Sequence, residues 1–155
     1  VFLENNMQRL LLILCVSLAL TSFTGVNDTK GDDVIGTWLT GKKTAHVEIF
    51  KTGKYFYGKI VWMEKPNDDA GNLRLDKNNP DENLKSKSLM NLLILKGFEY
   101  QDEHEWADGT IYDPEEGKTY SCKMWFEKGN TDVLKMRGFV GISLLGRTDT
   151  WTRIK

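Results

Sequence analysis

The chain has 155 residues, 40% of them hydrophobic and 28% charged, and its 21 Lys and Arg against 22 Asp and Glu leave a net charge of −1. This near-balance argues against a nucleic-acid-binding protein, whose affinity comes from clustered cations neutralising phosphates. Removing 25 of the 155 residues as an N-terminal signal leaves 130, a length suited to one domain.

That signal is the first expected element. Residues 10–20 read LLLILCVSLAL, preceded by Arg9 and followed by Thr21, Ser22, Thr24 and Gly25, which is the layout of a secretory signal peptide. A membrane-spanning helix needs about 20 apolar residues, so the run is short for an anchor. Cleavage is expected between Thr21 and Val26, with Met7 a candidate start. Cys15 lies in the middle of the apolar run, not after it behind small residues, so it does not suit a lipid-modified cysteine. The expected organisation is residues 1–25 as signal peptide and 26–155 as one exported domain, in the periplasm or secreted. Cys122 is then the single cysteine, and the core holds the fold without an intramolecular disulfide.

Short strands are expected along the rest of the chain. Residues 34–39 form the first candidate, and in residues 45–51 Ala45, Val47 and Ile49 alternate with His46 and Glu48. Residues 55–63 continue the period of two, with Phe56, Gly58, Ile60 and Trp62 on one face and Tyr57, Lys59 and Val61 on the other. A hairpin turn is expected over Lys51, Thr52, Gly53 and Lys54. Residues 64–87 interrupt the rhythm with Pro, Asn, Asp and Gly, and Asn79 is placed to cap a single helical turn opened by Pro80. An excursion this long within a small domain is often functional, and a solvated loop with no role explains it equally well. Strands resume over residues 92–100, 105–112, 119–126, 133–140 and 144–154, with turn residues at 101–104, 113–117 and 128–130. About eight strands without helical periodicity predict an all-β, antiparallel up-and-down barrel. Gly36 and Trp38 at its start and Trp151 and Arg153 at its end are expected to meet where it closes.

Reactive chemistry is sparse. His46 and His104 form no spaced pair, so no zinc site is expected. The stretch from Asp76 has the length of a calcium loop but lacks Gly at its sixth position and Glu at its twelfth. Ser143 is not in a nucleophile elbow. Cys122 shares a face with Tyr120, Met124 and Phe126 and reads as a buried hydrophobe. No cofactor or metal is expected, and no catalytic residue is assigned.

The remaining polar set is Lys59, Asp76, Asp113, Arg137 and Arg147. In a regular last strand Arg147, Asp149, Trp151 and Arg153 project to one face together with Leu145. A surface Arg147–Asp149 pair explains this row without a function, whereas the planar fork of Arg147 also suits a carboxylate or anionic headgroup. Aromatics are plentiful, and an eight-stranded barrel is either packed solid by them or just wide enough for one small ligand.

Five stretches carry a resemblance: GTW at 36–38, YGKIVWMEKP at 57–66, LDKNNPDENLKSKSL at 75–89, GTIYDPEEGKTYSCK at 109–123 and RGFVGISLLGRTDTWTRI at 137–154. Together they resemble the bacterial exported family known as domain of unknown function twenty-one forty-seven, over nearly all of the mature chain. The resemblance implies a lipocalin-like barrel of the calycin group, and the family has no established activity. Trp38 matches the Trp of the lipocalin Gly-x-Trp, with Arg153 the basic residue expected to cover it.

The leading expectation is a non-enzymatic binding protein for a small apolar or amphipathic ligand, with Lys59, Trp62, Tyr112, Asp113, Arg137 and Arg147 as candidate binding residues. The alternatives are an envelope interaction module docking a protein partner, and a barrel enzyme using Asp76 or Asp113 as acid or base.

Overall fold

The computed structural model of the protein describes residues 29–127 and 130–155. The expected signal peptide, Met7, Cys15 and turn residues Lys128 and Gly129 lie outside the described residues. Among those described, eight strands follow in chain order: β1 (Gly36–Leu39), β2 (Ala45–Thr52), β3 (Tyr55–Met63), β4 (Leu93–Tyr100), β5 (Glu105–Asp113), β6 (Lys118–Glu127), β7 (Asn130–Phe139) and β8 (Arg147–Arg153). Each is antiparallel to the next and β8 pairs with β1, so the sheet closes into an up-and-down barrel with no free edge.

Period-two patterning builds the wall. Val47 and Ile49 on β2, Cys122, Met124 and Phe126 on β6, and Leu134 and Met136 on β7 are buried, while their sequence neighbours are more exposed. Three elements depart from the expected pattern. On β3, Phe56, Gly58 and Ile60 face inward, but the register shifts between His46 and Val47 opposite, and the burial pattern then skips to Met63. Trp62 is therefore turned outward, 41% exposed and stacked on His46 at 4.3 Å, because a bulge adds a residue and exchanges the faces beyond it. The first strand starts at Gly36, not residue 34, because a 3-10 turn, Asp32–Val34, precedes it. The last strand starts at Arg147, since a 3-10 turn, Ser143–Leu145, takes up residues expected to be extended. Leu145 thus leaves the face of Arg147 and is 80% exposed.

One end of the barrel is sealed. Trp38 is fully buried, and its indole N–H donates to the Val34 carbonyl at 2.9 Å. The Arg153 guanidinium lies 4.2 Å from the Trp38 ring centroid, opposite it in the β1–β8 register. Its N–H groups donate to the carbonyls of Asp33 (2.5 Å), Ile35 (3.0 Å) and Thr131 (3.1 Å). A planar fork can satisfy three carbonyls while its face rests on an aromatic ring, which an ammonium cannot do. Behind this cap, Phe126 packs edge-on against Trp106 at 5.2 Å, and Trp106 meets Phe56 at 6.2 Å, so aromatic rings fill this half of the lumen.

Replacing Arg153 by Ala removes the ring contact and leaves three carbonyls to find other donors. The expected cost is about 2–4 kcal/mol, seen as a lower urea midpoint with an unchanged slope, with Arg153→Lys recovering less than half. A midpoint equal to that of the parent protein would contradict this account of closure.

Candidate functional site: the open mouth of the barrel

The opposite end is formed by the β1–β2 loop (residues 40–44), the long β3–β4 excursion (64–92), the β5–β6 turn (114–117) and the β7–β8 loop (140–146). Towards this end the inner positions change character. Gly138 follows Leu134 and Met136 on the inner face of β7, and a Cβ there would lie in ordinary contact with Ile111 (3.5 Å) and Tyr120 (3.7 Å), so the position would accept a small side chain yet carries none. The inner Gly58 and Gly109 differ, because the side chains of Leu95 and Phe98 occupy the places their Cβ atoms would take.

Arg147 stands directly opposite Gly138 in the β7–β8 register and therefore on its face. It is exposed, and no hydrogen-bond or ion-pair partner for it occurs among the described residues. Its charge nevertheless reaches Lys42, Glu116 and Tyr120. The acids around it are engaged elsewhere. Glu115 takes the Lys42 ammonium at 2.6 Å, a contact that holds the Lys42 pKa above its ordinary value. Glu116 accepts from the Tyr120 hydroxyl at 2.5 Å, which lowers the carboxyl pKa and raises that of the phenol. Asp113 accepts from the Glu115 and Glu116 backbone N–H groups and so shapes the turn. Asp149 accepts from the Trp151 indole at 2.8 Å and the Gly41 N–H at 3.3 Å, tying the β1–β2 loop to β8. Within that loop the Thr40 hydroxyl is buried with no hydrogen bond among the described residues.

Other residues singled out from the sequence lie apart from this mouth. Lys59 lies between the inward Gly58 and Ile60 and so faces the outer wall, 3.0 Å from Glu48 and over the Phe50 ring. Trp62 is on the outer wall with His46. Arg137 lies between the inner residues Met136 and Gly138 and points outward. Its guanidinium donates to the Ser143 carbonyl (2.6 Å), the Leu144 carbonyl (2.9 Å) and the Thr148 hydroxyl (2.7 Å), clamping the β7–β8 loop.

A family model described as "Uncharacterized protein conserved in bacteria (DUF2147)" matches residues 36–153, from the head of β1 to the last residue of β8. The chain belongs to this family. It is also similar to a solved structure described as "Protein HP1028 from the human pathogen Helicobacter pylori belongs to the lipocalin family", with 21% identity, a TM-score of 0.66, and coverage of 79% of this chain and 83% of that one. That likeness establishes the lipocalin-like fold. No curated protein matches the chain.

In this DUF2147 protein the β3–β4 excursion is fastened by a residue whose environment sequence reasoning did not foresee. Asp76 is fully buried, with one carboxylate oxygen accepting from the Tyr112 hydroxyl at 2.7 Å and the other from the Asn79 amide at 2.6 Å. Tyr112 alternates with the inner Ile111, so the excursion docks on the outside of β5. Asn79 thus braces Asp76 and does not cap the 3-10 turn Glu82–Leu84, where Asp81 is the cap. Asn78 reaches the Pro114 and Glu115 carbonyls, and Gly117, at φ +67°, leaves room for the Asn78 carbonyl where any Cβ would collide. The excursion and the β5–β6 turn are therefore one assembly beside the mouth. Asp76 has both oxygens occupied, and Cys122 is 2% exposed, its thiol pushed up to about 12 by burial.

Burial, then the hydrogen bond to Asp76 and the nearby negative charges, push the Tyr112 phenol up to about 12. Its neutral form is favoured in the fold, so this contribution to stability is whole below pH 10 and is lost as pH rises towards 12. An absorbance titration should show a tyrosine ionising near pH 12 that disappears in Tyr112→Phe. The same variant should be cut faster within residues 64–92 by a protease, with the barrel left intact; equal cleavage rates would contradict the role of this contact.

Proposed function

We propose that this protein is a non-enzymatic binding protein for a small amphipathic molecule, taken at the open mouth of the barrel. The observation that carries this reading is the pairing of an inner position without a side chain, Gly138, with the exposed Arg147 guanidinium opposite it, which has no hydrogen-bond or ion-pair partner among the described residues. A guanidinium at the rim of an apolar wall suits a carboxylate or other anionic group, with the apolar part of the molecule against Ile111 and Tyr120. The sealed half of the lumen is filled by aromatic rings, so the reading is of a short, rim-held ligand and not of one threaded through the barrel.

The reading includes export, with residues 10–20 acting as the signal and the domain working in the bacterial envelope. It assigns Arg147 to the ligand, Asp113 to the shape of the adjoining turn, Tyr112 to fastening the excursion and Arg137 to the neighbouring loop.

Protein purified without detergent and examined by native mass spectrometry should carry a small anionic amphiphile at one per chain. Gly138→Leu should release it by placing a side chain where the ligand is proposed to lie. Arg147→Gln should weaken it by about ten-fold or more, the worth of a charge-assisted hydrogen bond. Arg147→Gln, at an exposed position, should keep the parent stability within about 0.5 kcal/mol. A protein that is always empty, or one whose ligand is indifferent to both changes, would contradict the reading.

A further inference from the structure

The most exposed apolar side chains described sit together on the β7–β8 loop. Val140 is 75%, Ile142 62%, and Leu144 and Leu145 each 80% exposed. Residues 138–146 read GFVGISLLG and contain no charge, and arginine stands at each end, Arg137 and Arg147. The loop is not left to collapse onto the barrel. Arg137 holds the Ser143 and Leu144 carbonyls against β7, two 3-10-type bonds close the turn (Leu145 N–H to Ile142, 3.2 Å; Gly146 N–H to Ser143, 3.1 Å), and Gly141 supplies a positive φ of 74°. Water gains nothing from four aliphatic side chains presented on a braced backbone, so their exposure calls for a partner.

We propose that this loop is a membrane-docking tip that inserts into the surface of a bilayer containing anionic phospholipid. Two features select that occupant. The tip is convex and aliphatic, which suits a fluid hydrocarbon boundary needing no complementary groove, and interfacial segments bury their apolar side some 5–10 Å deep. The arginines at its base also lack a carboxylate: Arg137 donates to two carbonyls and a hydroxyl, and Arg147 has no partner among the described residues, whereas Lys42 and Lys118 nearby are paired with Glu115 and Glu116. Residues 137–147 themselves carry two arginines and no acid, a local charge complementary to phosphate headgroups. Docked this way, the barrel would face the bilayer with its mouth. The proposal stands on the loop alone and does not require the small-ligand reading.

Hydrogen exchange of the loop amides provides a local test in the full chain, unaffected by whatever residues 10–20 do with lipid. Vesicles of phosphatidylethanolamine with phosphatidylglycerol should slow exchange over residues 140–146, and vesicles of phosphatidylcholine alone should do so less. In Leu144→Asp or Leu145→Asp, both at exposed positions, the protection at the loop should require about ten-fold more lipid or more. Gly138→Leu should leave it unchanged. Loop exchange that ignores vesicles would overturn the proposal. Protection that appears without lipid as protein concentration rises, and is abolished by Leu144→Asp, would overturn it in favour of a contact between two copies of the chain.

Discussion

The barrel depends on a short seam. β1 meets β8 through Trp38 opposite Arg153 and Leu39 opposite Thr152, much less than the ladders between the other neighbours. Backbone pairing alone holds such a seam weakly, and the Arg153 guanidinium supplies what it lacks by joining the 3-10 turn before β1 and the start of β7 to the end of β8 while covering the Trp38 ring. The N-terminal turn is drawn in by further contacts: Lys51 with Asp32 at 2.7 Å, His104 with Asp33 at 2.5 Å, and the Trp106 indole donating to the Gly31 carbonyl at 3.2 Å. One end of the molecule is thereby committed to stability.

The other end carries the features that stability does not explain. An inner strand position carries no side chain, and among the described residues the arginine opposite it has no hydrogen-bond or ion-pair partner, a hydroxyl is buried without a hydrogen bond, and four aliphatic side chains project from a braced loop. Local departures from good packing and pairing concentrate where a protein meets something else. The β3–β4 excursion belongs to this end, yet its buried Asp76 turns inward to Tyr112 and Asn79 and serves to fix the excursion against the wall. Rigid support beside an open mouth is what a preorganised binding site needs.

Much of this architecture was legible in the chain. Alternation in β2, β6 and β7 is regular enough to assign faces residue by residue, and it correctly set Cys122 among buried neighbours. The outward turn of Trp62 has no signal in the sequence, because a bulge is a property of two paired strands and leaves no mark on one of them. Leu144 and Leu145 resemble a continuation of the last strand because they are apolar residues beside it, and only the Arg137 clamp, which is tertiary, reveals a projecting loop. The burial of Asp76 was equally invisible, since it arises when an excursion folds back onto a tyrosine 36 positions away. Arg147 was the residue whose placement followed directly, because its face is set by counting along a regular strand.

The barrel thus has a sealed end and an end proposed to bind. Backbone and methyl chemical shifts followed by NMR during titration with an anionic amphiphile such as a medium-chain fatty acid test it directly. Saturable shifts are expected at Ile111, Tyr120, Gly138 and Arg147, with little change at Trp38, Trp106 and Arg153. Shifts centred on the sealed end, or on the outer wall around Trp62 and Lys59, would contradict it.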